Sequence, residues 1–366
     1  MTRKEFIKIC GILGLGLPPF SSMACTKEDL SASGFKGKVI IIGAGPGGLS
    51  TGYLLQQQGI EFEILEASDT YGGRMKIDSN FADFPIPLGA EWLETETDIF
   101  KEMINDPMVE AKVETIADDP DRKFVGYSWY NFFEEYIVPS ISEKIAYNKV
   151  VQSIDYSGGQ VLVETQNGKR SADKVVIAVP LKMLQDNTIL FNPALPTYKL
   201  EAIRDTIIWS GFKAFFEFYS PFYDNEYSFN ITPATEGEKI YYNASFGQNT
   251  SKNILGLFVV GRPAQDYTSR SGNNLKSFIL EELDRIYSNQ ASPNYLNHIS
   301  QNWDDEPFIQ SGYMSDHADW RTVRDLGKSV ADKIYFAGGA YTDGEDWVSV
   351  HAAARSAKNT IKELIK

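Results

Sequence analysis

The sequence predicts an α/β protein: a Rossmann-type dinucleotide-binding domain, built from a parallel sheet plus a β-meander, with a reduced α+β substrate domain. Three observations predict it. A β-branched run, Lys38-Val39-Ile40-Ile41-Ile42, leads at once into the glycine-rich Gly43-Ala44-Gly45-Pro46-Gly47-Gly48. A helical stretch and an alternating strand ending at Glu66 follow it. Near the other end, Lys333-Ile334-Tyr335-Phe336 repeats the strand pattern and runs into Ala337-Gly338-Gly339. The length of 366 residues allows two domains, or one sheet domain with a sizeable insertion.

Residues 38–42 read as a buried parallel strand, because such strands are covered on both faces and carry no polar alternation. Gly43 permits the tight turn, Gly45 lets a pyrophosphate approach the backbone, and Gly48 allows close helix–strand contact. Pro46 and Gly47 complete the loop. Residues 49–58 read as a helix with Leu49, Tyr53 and Leu54 on one side, ended by Gly59. Its N-terminus offers free N–H groups and a positive dipole end to phosphates. Residues 60–65 alternate as a second strand, and Glu66, with Ala67 beside it, is placed to accept hydrogen bonds from ribose hydroxyls. This order specifies a dinucleotide, NAD and FAD alike.

The choice between them comes from Ala67-Ser68-Asp69-Thr70-Tyr71-Gly72-Gly73-Arg74-Met75. The glycine pair leaves the backbone bare near phosphate, and Arg74 brings a charge and a bidentate fork. This stretch resembles the motif after the second strand in FAD-dependent amine oxidases. The resemblance to the flavin monoamine oxidase superfamily then continues in order along the chain. It implies noncovalent FAD, contacted by Gly73 and Arg74. Leu88-Gly89-Ala90-Glu91-Trp92 resembles the family segment that passes the flavin and the substrate entrance, which brings Gly89, Ala90, Glu91 and Trp92 into the implied site. Residues 149–180 read as strands broken by turns at Ser157-Gly158-Gly159 and Asn167-Gly168. Their tail is similar to the strand that returns to the FAD sheet, and the backbone of Val151 is implied to meet the adenine. The Ala337-Gly338-Gly339 stretch, with a closing helix over 347–357, resembles the final FAD motif and implies contacts from Gly338, Gly339, Trp347 and Val348. Two departures stand out. Gly339 replaces the usual glutamate, removing one side-chain contact, and Ala357 replaces a common glycine.

Residues 209–218 alternate as a strand that matches the family strand presenting a lysine toward flavin N5. The resemblance assigns Lys213 a catalytic role, holding a water near N5 and assisting reoxidation. The competing reading is a solvent-facing lysine with Phe212 and Ala214 turned inward. The family's aromatic cage aligns near Ser349, so Trp347 and, before the Ser311-Gly312-Tyr313 turn, Trp303 are the catalytic-site aromatics, with core packing as the alternative for each. The implied reaction takes an amine or amino acid to an imine and then a carbonyl by hydride transfer, with oxygen or another acceptor taking the electrons. A flavin dehydrogenase or desaturase on an apolar substrate, and a flavin-binding surface lipoprotein without catalysis, remain as alternatives. The insert between Glu91 and Lys149 is much shorter than in classical relatives.

The domain reading follows. Residues 1–25 form a signal peptide with lipobox and 26–37 a tether. Segments 38–93, 149–196 and 326–366 build the FAD-binding domain. Residues 94–148 are a reduced helical insert on the substrate side, and 197–325 the substrate domain. A net charge of −14 argues against nucleic-acid binding, and it reads as a solvated surface that aids solubility or, alternatively, as one that draws in cationic substrates such as amines. With Cys10 and Cys25 alone there is no disulfide framework or zinc cluster, and His298, His317 and His351 lack ligand spacing, so no metal is expected. Thr2-Arg3-Lys4, the apolar stretch 7–17 and Ser21-Ser22-Met23-Ala24 have the order of a signal peptide. The apolar stretch is too short to span a bilayer. Thr2-Arg3-Lys4-Glu5-Phe6-Ile7-Lys8 resembles a twin-arginine signal, with Lys4 in place of the second arginine. Ser22-Met23-Ala24-Cys25 resembles a bacterial lipobox. Together they imply an exported protein, periplasmic or on the outer membrane, tethered through acyl chains on Cys25.

Overall fold

In the computed structural model, residues 34–118, 121–224, 226–229, 236–315 and 317–366 are described. The expected signal peptide, the lipobox and most of the tether lie outside the described residues. In chain order, the elements that position the site are strand β1 (Lys38–Ile42), helix α1 (Pro46–Gln57), β2 (Glu61–Leu65), α2 (Trp129–Tyr136), β3 (Ile145–Ala146), β4 (Lys174–Ile177), β5 (Gly211–Phe218), β6 (Ile334–Phe336) and α3 (Val350–Leu364).

Five of these strands form one parallel sheet in the order β6-β4-β1-β2-β3. β1 is central. Its Val39 and Ile41 face one core, shared with α1 and α3, while Ile40 and Ile42 face a second. Burial on both sides explains the unbroken apolar run. α1 starts earlier than its apolar pattern suggests, at Pro46, whose fixed φ and missing N–H suit a first helical turn. It is buried from Gly47 to Leu55 and packs along α3, where Ala357 is fully buried. The meander follows as expected. Val151–Asp155, Val161–Thr165 and Gly168–Ala172 pair antiparallel, and Leu190–Asn192 adds on in parallel.

The second domain is a five-stranded antiparallel sheet with β5 between Asn253–Gly261 and Tyr295–Asn302. Side chains alternate across a strand, and β5 uses both faces. Phe212, Ala214, Phe216 and Phe218 pack with Leu275, Ile279 and Leu283 of the helix Gly272–Ile286. On the opposite face Phe215 packs with Phe81, Phe84, Ile86 and Leu88. Lys213 shares that second face, so it has no route to solvent.

The insert 94–148 contains a helix, Asp98–Ile104, a hairpin of Thr115–Asp118 and Asp121–Phe124, and α2. In α2, positions 129, 132, 133 and 136 form one helical stripe. Trp129, Phe132 and Phe133 bury there with Phe100, Met103 and Ile141 in the core beneath β1 and α1. Most of the insert therefore packs on the FAD-binding domain, not on the substrate side where its sequence position suggested. The hairpin and the turn after it reach across, where Lys123 Nζ donates to the carbonyls of Asn243 at 3.1 Å and Ala244 at 2.7 Å, and Gly126 N donates to the Gln248 side-chain oxygen at 2.8 Å. α3 starts at Val350, later than the expected 347, because the Ser349 hydroxyl caps it by accepting from Ala352 N at 3.1 Å. Among the described residues no helix is long and apolar enough to cross a membrane.

One buried charge ties the C-terminal part of the fold together. Lys199 is fully buried, and its Nζ donates to the carbonyls of Leu326 at 2.7 Å and Lys328 at 2.5 Å, at the end of the helix Trp320–Gly327. Burial pushes this ammonium down to about 7, with Asp325 opposing the shift. An unfolded lysine holds its proton to about pH 10.4, so between these values the unfolded chain binds more protons and folding strengthens as pH rises. In denaturant titrations from about pH 7.5 to 9.5, the stability difference between wild type and Lys199→Met should move toward wild type by up to about 1.4 kcal/mol per pH unit. A pH-independent difference would refute a buried, titrating Lys199.

Candidate active site

At the end of β1 the chain turns through Gly43, with φ of +102°. A Cβ on Gly48 would lie 1.9 Å from the Gly43 carbonyl oxygen, so this turn closes only on bare backbone. A Cβ on Gly45 would meet nothing within 4 Å, because Gly45 faces open space. It is also the N-cap of α1, with no side-chain cap and no acidic residue in the first turn. The N–H groups and positive dipole end are left for a ligand.

That open space is a cavity of about 770 Å³ at the carboxyl ends of the parallel strands. Crevices in this position are where open α/β sheets bind ligands. Gly43, Gly45, Pro46, Gly47, Glu66, Ala67, Gly73, Arg74, Val151, Gly338 and Gly339 all line it, as does Trp303. Gly48 lies behind it, at the helix–strand contact.

The charges suit a dinucleotide diphosphate. Arg74 is half-buried beside two left-handed glycines, Gly72 and Gly73, and donates through Nη1 to the Gly312 carbonyl. Burial pushes its guanidinium below the usual value. Among the described residues it pairs with no carboxylate. A cation withdrawn from water without a counter-charge is costly, and a diphosphate would supply one. At the other end, Glu66 accepts from Ala44 N at 2.6 Å and from the Ser68 N–H and hydroxyl at 2.9 and 2.7 Å. The acid expected on the ribose is thus locked in place by the β1–α1 turn itself. The residues present fit a dinucleotide.

Gly89, Ala90, Glu91 and Trp92 do not line the cavity. They back its wall. A Cβ on Gly89 would sit 1.9 Å from the Arg74 carbonyl oxygen, which also accepts from Ala90 N at 2.9 Å. Trp303, 4% exposed, donates its indole N–H to the Leu88 carbonyl at 3.0 Å, and Trp92 meets Tyr242 edge-on. Lys213, 2% exposed, lies behind the same segment. Its Nζ donates to the carbonyls of Pro87 at 3.0 Å and Gly89 at 3.1 Å, and to the Glu91 carboxylate. Tyr242 donates its hydroxyl to the same Glu91 oxygen. Burial pushes the Lys213 ammonium down, and Glu91 opposes that. The solvent-facing alternative for Lys213 is ruled out. An ammonium has three N–H bonds, and protein acceptors take all three here, so holding a water requires exchanging one of them.

The two expected tryptophans are not brought together. Trp347 donates to the Ser315 carbonyl at 3.3 Å, packs into the second core, and does not line the cavity. Because α3 starts only after Ser349, residues 347 and 348 form its approach loop, and Val348 also stays out of the cavity. Val348 has φ of +69°, a strained conformation for a β-branched residue, and its N–H donates to the Gly339 carbonyl at 2.9 Å. A Cβ at Gly339 would approach the Val348 backbone to 3.3 Å, so the crossing loop favours glycine there. Two buried tyrosines escaped the sequence reading. Tyr341 lines the cavity and donates to the Val179 carbonyl at 2.9 Å. Tyr242 has room because Gly256 opposes it, where a Cβ would lie 2.4 Å from its ring. The aromatic after the Gly338-Gly339 pair was the available signal for the first; pairing across strands, invisible in sequence, places the second. Among the described residues no cluster of His, Cys, Asp and Glu could hold a metal.

A phosphate-binding turn and an arginine that has no carboxylate partner among the described residues, at the mouth of a parallel sheet, define a dinucleotide-binding protein. Residues 133–365 match the family model for flavin containing amine oxidoreductase, and residues 41–106 that for the NAD(P)-binding Rossmann-like domain. The chain belongs to the flavin-containing amine oxidoreductases. A flavin family and a dinucleotide cavity together specify FAD. Mouse lysine-specific histone demethylase 1B is 22% identical over 93% of this chain and 53% of its own length. Arabidopsis thaliana polyamine oxidase 2 is 23% identical over 86% of this chain and 85% of its own. The chain spans about half the length of the demethylases it matches. Putrescine oxidase, in its wild-type form bound to putrescine, superposes with a TM-score of 0.71 at 14% identity, covering 90% of this chain and 99% of that one. That likeness is one of fold.

Arg74→Ala should weaken FAD retention by roughly ten- to a hundredfold, the scale of a charge-assisted contact of about 1.5–3 kcal/mol. Full flavin occupancy after dialysis of the variant would argue against a diphosphate contact.

Proposed function

We propose that this chain oxidises an amine or amino acid with FAD. The observation that carries the reading is Lys213, a buried lysine on β5 held against the segment 87–91 that backs the cavity. FAD held here would supply the redox chemistry, accepting a hydride from the carbon next to nitrogen and passing two electrons to oxygen or another acceptor, while water would hydrolyse the substrate imine to a carbonyl. The protein supplies placement and charge. The α1 N-terminus and Arg74 hold the diphosphate, and Glu66 holds the ribose. Burial disfavours a charge on Lys213 Nζ, and Glu91 favours its protonated form behind the wall. Phe81, Phe84 and Phe215 close the face of β5 that Lys213 shares against water. The polyamine oxidase and putrescine oxidase relatives support an amine substrate, and the net charge of −14 favours a cationic one.

Peroxide release on a panel of amines and amino acids tests this reading, together with anaerobic bleaching of the bound flavin. Bound flavin that no amine bleaches sinks it. Lys213→Met should keep flavin but slow its reoxidation by oxygen at least tenfold; unchanged kinetics would remove Lys213 from the mechanism. Glu91 favours protonated Lys213, so Glu91→Gln should move the pH at which reoxidation declines to lower values. A superimposable pH profile would separate the pair from the chemistry.

We also propose export and lipidation at Cys25, supported by the order of charge, apolar run and small residues before it. Labelling with a fatty-acid analogue should mark wild type and spare Cys25→Ala, and no label in either rules the anchor out.

A further inference from the structure

Helix α2 has two faces. Trp129, Phe132 and Phe133 form the core face described above, while Tyr130, Asn131 and Glu134 line the dinucleotide cavity. The Tyr130 ring stacks on Tyr71, with centroids 5.2 Å apart and planes within 2°. Tyr71 belongs to the loop that carries Arg74, and this stack seats on bare backbone. Gly72 has φ of +107°, and a Cβ there would lie 3.1 Å from two ring carbons of Tyr130. The neighbouring Asn131 accepts from the Ser128 hydroxyl at 2.7 Å through its amide oxygen, which leaves its amide N–H groups as donors. The same end of the cavity is bounded by Glu66 and Lys149, whose backbones are joined by Lys149 N donating to the Glu66 carbonyl at 2.8 Å. Trp303 bounds another part of the cavity, on the side of the second domain. The first four residues of α2 lie in the stretch 107–132, between the two family matches.

We propose that Tyr130, backed by Tyr71 and flanked by Asn131, forms a wall of the adenosine–diphosphate half of the FAD site. The chain builds this binding element from its insert, on a helix that begins between the two matched stretches. The proposal rests on the FAD reading above. A flat aromatic wall on this side excludes water from the diphosphate and holds the Gly72-Gly73-Arg74 loop closed over it. Its loss therefore shows in cofactor affinity and leaves the core face of α2 intact.

The test uses the full chain stripped of flavin, titrated separately with FAD and with ADP, which fills only the adenosine half. Tyr130→Ala should raise the dissociation constants of both by roughly tenfold, while Tyr130→Phe should stay near wild type. Tyr130→Leu, which keeps bulk but not the flat ring, should behave as the alanine variant does and covers the case in which that variant misfolds. Circular dichroism and melting of the apoproteins should superimpose. A folded Tyr130→Leu or Tyr130→Ala protein that binds FAD as wild type does overturns the wall. FAD weakened with ADP unaffected also overturns it, by placing Tyr130 away from the adenosine half. Wild-type apoprotein that fails to take up FAD overturns the cofactor reading itself, which distinguishes the two failures.

Discussion

Arg74 is the residue through which three separate parts of the chain meet. Its backbone carbonyl receives Ala90 N and abuts the bare Cα of Gly89, while its guanidinium reaches the Gly312 carbonyl of the second domain. A cation withdrawn from water can be held this way only if its charge is answered, and carbonyl oxygens answer it in part. The remainder is directed into the cavity. The same interaction that closes the domain interface thus leaves an electrostatic deficit where an anionic ligand binds, so fold and cofactor are coupled through one side chain. Removing Arg74 would loosen the interface and the site together.

Lys213 stands on the far side of the same short segment. Gly89 touches Arg74 through its Cα and accepts from Lys213 through its carbonyl. Arg74 and the buried Lys213 therefore flank residues 87–91 from two sides, with the Glu91 carboxylate, braced by Tyr242, on the Lys213 side. Such an arrangement fixes a segment more strongly than hydrophobic contact does, because every acceptor must stay in place to keep the charges solvated by protein. Lys213 reads this segment through two backbone carbonyls and the Glu91 carboxylate, whereas Arg74 meets it through its own backbone carbonyl.

Much of this was legible in sequence where chemistry demands a residue type at a fixed spacing. The turn at Gly43–Gly48, the acid at Glu66 and the Gly-Gly-Arg loop are local, and each is dictated by backbone geometry within a few residues. Lys213 was visible as a charge in an aromatic strand, although its face could be settled only when Asn253–Gly261 and Tyr295–Asn302 were seen to enclose β5. What escaped depends on partners far away in the chain. Tyr242 is placed by the missing side chain of Gly256 on the paired strand. Trp347 was misplaced because the start of α3 is set by the Ser349 cap, two residues past the aromatic. The insert was assigned to the substrate side from its position between motifs, whereas the apolar stripe of α2 had its complement in Phe100, Met103 and the core under β1.

The departures from the family pattern share one physical logic. A side chain at 339 would crowd the Val348 backbone, which itself sits in a strained left-handed turn and bonds to the Gly339 carbonyl. The loop before α3 thus lies against the position from which a side chain at 339 would extend, and glycine leaves no side-chain contact there. The short insert works in the opposite direction. The insert packs onto the Rossmann core and brings Tyr130, Asn131 and Glu134 to the cavity. One end of the dinucleotide site thus presents a bare glycine and the other an aromatic surface. Hydrogen bonds to a charged diphosphate and exclusion of water around it are alternative ways to hold the same ligand, which is why these two features are compatible within a single chain.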